Sequence, residues 1–412
     1  MRKFHLNING KICDVNASDG QRLSEVLREQ VGLWGTKVGC DTGDCGACTV
    51  LLDGEPVCAC LTPLAQVQEQ TVETVEGLAG GDLSDLQRAF LRHGAAQCGI
   101  CSPGMLMAAE ALLRRQAKPS RQTVEEALSG VLCRCTGYAK IVDAVLDVAG
   151  QSAEKAGGVG ARMMRVDGEA KVLGTEVFGA DNAPAEALWL RAVRSPLSCA
   201  TFEFGDLKAW AHPRGVQVFI AEDVPGVNRF GVLPEYADQP VLAAESIRMK
   251  GEAVAIIAGP RDVVSSLDLK SFPVSWTECT PVLDPVEAEM AGKPLIHQTR
   301  PGNALVAGHV RCGDAEAAMQ SAAHVVRGAL STSHVEHAYI EPEAGVAWMD
   351  GDVLVVRVST QTPMMDRDAL AEILNVPKSR VWIVPAATGG GFGGKLDLSV
   401  QPFLGLVSLI TG

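Results

Sequence analysis

The chain has 412 residues, 47% of them hydrophobic and 21% charged, which is too long for one ordinary domain and too apolar for a disordered polymer, so two to four domains are expected. Its 36 Lys plus Arg against 49 Asp plus Glu give a net charge of -13, which argues against a broad basic face for nucleic acid or an anionic membrane. No run of about 18 apolar residues occurs, so membrane insertion is not expected and a cytoplasmic protein is, yet thirteen cysteines, nine of them between residues 40 and 135, then need an explanation.

Phe4-Leu6-Ile8 and Ile12-Val15 flank the turn pair Asn9-Gly10, which predicts a hairpin. Leu23 to Val31 has helical spacing, and Val50-Leu51-Leu52 and Val57 flank a second turn at Asp53-Gly54. From about 83 to 150 the pattern is helical. Leu83, Leu86 and Phe90 mark one face, Ser102-Pro103 starts a helix to Leu113, Thr123 and Glu126 form a capping box ahead of Ala127, and a last helix runs over about 139–149. Four short helices make a small core, so something else is expected to hold them together.

Residues 151–170, with Gly157-Gly158 and Gly160, read as a linker. Beyond it Leu188–Val193, Val216–Ile220 and Ala253–Ala258 read as strands of an α/β domain over about 171–285. Pro281, Pro285 and Pro294 lead into a mixed domain over 286–412, with strands Val353–Val358 and Val381–Val384 around a helix Asp366–Leu374. It ends on the apolar stretch Phe403–Ile410 and looks unfinished.

Cys40, Cys45, Cys48 and Cys60 give C-x4-C-x2-C and a fourth Cys, the plant-type [2Fe–2S] spacing, with Gly39, Gly43 and Gly46 relieving crowding where a loop wraps an inorganic core. Soft thiolates suit iron, and a zinc site is the metal-bound alternative. Cys58 competes for the fourth position, because residues 58 and 60 of a strand face the same way. Cys98-x2-Cys101 and Cys133-x1-Cys135 form a second tetrad, which antiparallel helices can bring together and which suits zinc about as readily as iron and sulfur. Cys13, Cys199, Cys279 and Cys312 read as isolated small hydrophobes or inert thiols.

The Cys40 motif, Gln97-Cys98-Gly99-Ile100-Cys101-Ser102-Pro103-Gly104 and Cys133-Arg134-Cys135-Thr136-Gly137-Tyr138 together resemble the iron–sulfur portion of the xanthine oxidase and aldehyde oxidoreductase family of molybdenum hydroxylases. The likeness continues through Gly174–Asp181 and Ala221–Gly226 and covers nearly the whole chain. It implies a multidomain α+β protein with a plant-type ferredoxin-like [2Fe–2S] domain (1–75), a four-helix [2Fe–2S] domain (76–150), a small α/β domain (171–285) and the first part of a mixed molybdopterin-binding domain (286–412). By the same likeness both tetrads hold [2Fe–2S] clusters, with Gln97 and Cys135 touching the molybdopterin.

Gly389-Gly390-Gly391-Phe392-Gly393-Gly394-Lys395 contains both G-x-G-x-x-G and G-x4-G-K, but Leu396 stands where a phosphate loop needs Ser or Thr, and no clear acidic residue follows at the dinucleotide spacing. The resemblance instead sets Gly390, Gly391, Phe392 and Gly393 beside molybdopterin, with Phe392 near metal and substrate and Gln361 of Ser359-Thr360-Gln361 approaching an oxo ligand of the metal. The segment His337–Glu343 also resembles the family, where it helps shape the cofactor domain. The implied activity is hydroxylation with water as the oxygen source, and Leu396 after Lys395 favours an aldehyde or N-heteroaromatic substrate over xanthine. The resemblance also implies a partner subunit or missing segment carrying the second half of the molybdenum domain, the catalytic glutamate and much of the shared cofactor cage. A separate FAD subunit or another acceptor would take the electrons. The alternative is an electron-transfer subunit that only docks to a separate molybdenum catalytic subunit.

Overall fold

The computed structural model describes residues 1–150, 159 and 163–412. Most of the glycine-rich linker, including Gly157, Gly158 and Gly160, lies outside the described residues. The chain divides into two compact units, one of residues 1–185, 337–368 and 378–404, the other of 186–336, 369–377 and 405–412.

The first unit begins with a five-stranded sheet in the spatial order Lys11–Ala17, Arg2–Ile8, Thr71–Glu73, Thr49–Leu52, Glu55–Cys58. Both expected hairpins form, and their turns need the left-handed backbone that Asn, Asp and Gly tolerate: Asn9 and Gly10 have φ of 50° and 75°, Asp53 and Gly54 of 50° and 85°. The expected helix at 23–31 is one turn of α-helix, Leu23–Glu25, continued by the π-helical turn Val26–Gln30, which buries Leu23, Val26 and Leu27 against Phe4, Leu6 and Val50.

Four helices follow: Asp85–His93, Ser102–Arg115, Arg121–Leu128 and Ala139–Val148. Ser84 and Gln87 cap the first reciprocally. The third differs from expectation, because Ser120 is the cap and accepts from the Thr123 amide at 3.2 Å, so the helix starts at Arg121. Nor is the core weak. Phe90, Met105, Met107, Leu128 and Ile141 pack into one cluster with Leu51 and Val75 from the sheet side and Val172 from beyond the linker, partners that helical periodicity does not reveal.

The same unit contains a three-stranded sheet in the order Gly345–Asp350, Val353–Val358, Val381–Pro385. The last two strands are parallel, with helix Pro363–Ile373 between them in sequence, a βαβ arrangement that aims both strand ends at the glycine loop.

The second unit holds two antiparallel sheets of three strands each, ordered Trp189–Arg194, Ala253–Gly259, Gln217–Ile220 and Val274–Glu278, Ala200–Phe204, Ser246–Ile247. Ala253–Gly259 is buried throughout, as its unbroken apolar run predicts. Ala200–Phe204 and Val274–Glu278 are not among the strands expected from the sequence, although their apolar residues alternate with Thr, Ser and Glu as those of a half-buried strand do. Their inner side chains nevertheless form an aromatic cluster, with Phe202 and Trp276 rings 5.4 Å apart. Among the described residues no helix is long and apolar enough to cross a membrane.

Candidate functional site

The first cysteine loop runs from the π-helical turn to strand Thr49–Leu52. Cys45, Cys48 and Cys60 are buried and Cys40 is half-buried. Glycines permit this path. A Cβ at Gly39 would stand 2.7 Å from the Ile340 carbonyl and 3.0 Å from Cys45 Sγ, and one at Gly46, where φ is 66°, would reach 2.0 Å from the Gly130 carbonyl. The strand stops at Cys58, Cys60 enters the tight turn Ala59–Leu61 and points inward, and the Cys58 thiol turns to the Gly43 carbonyl at 3.7 Å. The thiols gather closely, Cys40 beside Cys45, and Cys48 beside both Cys60 and Cys58. Burial pushes the Cys40 thiol up, but hydrogen bonds, among them those from the Thr42 and Cys45 amides at 3.4 and 3.3 Å, outweigh it and bring its pKa to about 6.

Helix Ser102–Arg115 follows Cys98 and Cys101, and helix Arg121–Leu128 leads to the loop bearing Cys133 and Cys135. Contacts between these helices bring the two pairs together, with Cys98 against Cys135 and Cys101 against Cys133. The Tyr138 hydroxyl accepts from the Cys133 amide at 3.0 Å, and Thr136 Oγ1 lies 3.0 Å from Cys133 Sγ. Among the described residues no three His, Cys, Asp or Glu side chains form a group fit for a single ion. Four thiols gathered at each loop set suit a two-iron cluster, in which the four thiolates divide between the irons. The two loop sets touch directly: the Leu132 amide donates to the Cys45 carbonyl at 2.8 Å.

A cavity of about 470 Å³ opens beside the second tetrad. Gln97, Cys98 and Cys135 line one part, and Gln361, Ala387, Thr388, Gly390, Gly391 and Phe392 another. Gly393 does not line it but shapes it, since its amide and that of Lys395 donate to Gln361 Oε1 at 3.1 and 3.3 Å. With Oε1 occupied, the Gln361 NH2 group is the part left to donate elsewhere. Gly391 has no room for a Cβ, which would stand 2.4 Å from Gln361 Oε1. Phe392 is 48% exposed and holds a left-handed φ of 53°, a conformation that costs a bulky residue energy, and its ring lies against Gly390. Leu396, 37% exposed, is not among the lining residues.

Two groups at this site escaped the sequence reading. Arg165, Asp167, Lys171 and Glu176 complete the lining, with Arg165 paired to both Asp167 oxygens at 2.9 and 2.7 Å and Lys171 Nζ 2.5 Å from Asp167. Arg165 and then Lys171 hold the Asp167 carboxyl well below its ordinary range. Their position beside the linker gave no periodic signal. The second group is Glu341, Ser359 and Lys395, a buried set under the glycine loop. Glu341 accepts from the Gly179 and Gly389 amides at 3.0 and 2.6 Å and from Ser359 Oγ at 2.7 Å. The lysine that made the loop look like a phosphate cradle is therefore an internal anchor.

The donor set fits the implied groups: four thiols at each loop set, and a cavity lined by the carboxamides of Gln97 and Gln361, the thiols of Cys98 and Cys135 and the glycine loop. Comparison with known proteins agrees. Residues 6–79 match a 2Fe-2S iron-sulfur cluster binding domain, 74–146 a [2Fe-2S] binding domain and 296–412 a molybdopterin cofactor-binding domain. The chain is 31% identical to the aldehyde oxidoreductase of Megalodesulfovibrio gigas over 95% of its own length and 46% of that protein. It is 49% identical to the nicotine 6-hydroxylase small subunit of Paenarthrobacter nicotinovorans over 38% of its own length and 94% of that subunit. The solved aldehyde oxidoreductase from Desulfovibrio gigas superposes with a TM-score of 0.92 at 30% identity, covering 100% of this chain and 49% of that one. The chain thus spans about half the length of the aldehyde oxidoreductases it matches from end to end. Two distinct [2Fe–2S]-binding domains joined to a molybdopterin-binding stretch, on this fold and at this identity, make the chain a member of the xanthine oxidase and aldehyde oxidoreductase family of molybdenum hydroxylases.

Proposed function

We propose that this chain is the electron relay of a heteromeric molybdenum hydroxylase and docks to a molybdenum-bearing subunit. Cys40, Cys45, Cys48 and Cys60 hold one [2Fe–2S] cluster in the domain at 1–75, and Cys98, Cys101, Cys133 and Cys135 hold the second in the domain at 76–150. The observation that carries this reading is the hydrogen bond from the Leu132 amide to the Cys45 carbonyl at 2.8 Å, which links the two loop sets through main chain. The clusters supply one-electron carriage, and the chain's residues fix where the carriers sit. Because the second tetrad borders the cavity and the first does not, electrons enter at Cys98 and Cys135 and leave past the Cys40 loop to an FAD subunit or another acceptor. The high identity to a protein named as a small subunit of a nicotine hydroxylase supports this division of labour. A reducing, cytoplasmic location suits thirteen unpaired thiols.

A second reading, that the chain also forms part of the catalytic site, has its own support. Gln361 and Phe392 share the cavity with Gln97 and Cys135. In that reading a molybdopterin-type cofactor, shared with the polypeptide bearing the rest of the molybdenum domain (286–412 here being its first part) and the base glutamate, supplies hydroxylation with water as the oxygen source. Gln97, Cys135, Gly390, Gly391 and Gly393 bind or shape the cofactor's seat, Gln361 donates from its NH2 group, and Phe392 borders an aldehyde or N-heteroaromatic substrate. Apart from Lys171 and Glu176, which line the cavity, the 171–285 domain is scaffold in both readings.

Metal analysis of the purified chain tests the relay: about four irons per chain are expected, and iron-free protein would overturn it. Reconstitution with the molybdenum-bearing partner then separates the readings. Gln361→Ala leaves substrate turnover unchanged if the chain only docks, and lowers it with iron content intact if Gln361 serves the reaction.

A further inference from the structure

Two cysteines that sequence reading treats as isolated face each other in the second unit. Cys199 immediately precedes strand Ala200–Phe204 and Cys279 immediately follows strand Val274–Glu278. These strands are antiparallel with Ala200 opposite Glu278, so the next pair outward is Cys199 opposite Cys279. The Cys279 amide donates to the Cys199 carbonyl at 2.9 Å, and the far end of the ladder closes the same way, Gly205 to Pro273 at 2.9 Å. A hydrogen-bonded antiparallel pair keeps its Cα atoms about 5.5 Å apart, within the separation of about 4.4–6.8 Å that a disulfide spans. Directly opposite residues share one face of a sheet, so the two thiols lie on the same side, where the Cys279 thiol now rests 3.8 Å from the Thr277 carbonyl. Val274–Glu278 is an edge strand, Cys279 is exposed and Cys199 half-buried, so one sulfur is open to reagents and the other waits behind it.

We propose that Cys199 and Cys279 form a reversible disulfide, a thiol-modification site separate from both cluster tetrads. The oxidant is a low-molecular-weight disulfide such as oxidised glutathione. The exposed Cys279 thiolate attacks one sulfur of that disulfide, forming a mixed disulfide and releasing one small thiol. The Cys199 thiolate then attacks the Cys279 sulfur, the protein disulfide closes and the second small thiol leaves. Two protein thiols each lose a proton and together give up two electrons, and one small disulfide becomes two thiols. Burial pushes the Cys199 thiol up, which fits a resolving role rather than first attack. The bond would fasten the start of one strand to the end of its neighbour, where the chain leaves the sheet for residues 280–336.

Holoprotein with its iron in place is incubated anaerobically with oxidised glutathione, quenched with N-ethylmaleimide and mapped by non-reducing peptide mass spectrometry. The expected product is a cross-linked peptide pair containing Cys199 and Cys279, lighter by two hydrogens and reversed by dithiothreitol, with iron content unchanged. Thermal unfolding of the oxidised protein shifts up by a few degrees, and neither Cys199→Ser nor Cys279→Ser shows the shift. Cys199→Ser should instead accumulate glutathione on Cys279. Persistent glutathionylation of wild-type Cys279 without closure, linkage of Cys279 to another cysteine, or no reaction at either thiol would overturn the proposal.

Discussion

Lys395 Nζ lies 2.7 Å from Glu341 Oε2, with both side chains almost fully buried and the Ser359 hydroxyl bridging them at 2.7 and 3.0 Å. A buried pair of this kind contributes little when compared with an apolar isostere, but removing one member strands the other charge. Lys395→Met or Glu341→Gln should each cost about 3–5 kcal/mol, and the double variant less than the sum. Urea unfolding followed by circular dichroism checks this, and additive costs would show that the two side chains act independently.

The loop above that pair sets the Gln361 carboxamide. Gly391→Ala places a methyl 2.4 Å from Gln361 Oε1, so either the loop or the carboxamide must move. If Gln361 serves turnover, a displacement near 1 Å lowers kcat on the order of 100-fold. Steady-state kinetics of the reconstituted complex, with iron measured in parallel, reads the effect.

Cysteine substitutions distinguish ligand from neighbour. Cys48→Ser should release about half of the iron, because one two-iron cluster loses a thiolate. Cys58→Ser should leave the iron content unchanged, since its thiol turns to the Gly43 carbonyl while Cys60 is the deeper of the two. Iron analysis with visible circular dichroism decides. Equal losses from the two variants would make Cys58 a ligand.

Acid sensitivity should centre on Asp181. Its carboxylate is buried with Arg28 at 2.7 Å and Lys37 at 2.8 Å. Burial pushes its pKa up, but the Lys37 and Arg28 charges outweigh burial and hold it below the ordinary 3.8. A depressed carboxyl stabilises the fold fully above 3.8 and loses that contribution as pH falls through the lower folded value. Asp181→Asn therefore weakens the protein at pH 7, by about 3–5 kcal/mol for an unpartnered buried cation set, and flattens the loss of stability below pH 3.8. Urea midpoints collected across that range test the sign.

What the sequence made legible was what short-range chemistry dictates. Asn9-Gly10 and Asp53-Gly54 announced their hairpins because few residues tolerate the required backbone, and the cysteine spacings announced their loops because thiolate chemistry fixes spacing. Ser120, three residues before the expected cap at Thr123, is hidden because a Ser and a Thr so spaced compete for the same helix start. Glu341 and Lys395 are far apart in sequence and meet only through the βαβ fold, so neither declared its partner. Arg165 to Glu176 showed charge without period, and Cys199 and Cys279 looked isolated because cross-strand register is a tertiary fact.

The close approach of Gly46 to Gly130 bears on the tunnelling gap between the two iron centres. Where a single methyl would collide with a carbonyl 2.0 Å away, main chain meets main chain and no side chain acts as a spacer. Any side chain at position 46 would therefore have to push the two loop sets apart, lengthening the path an electron takes between them.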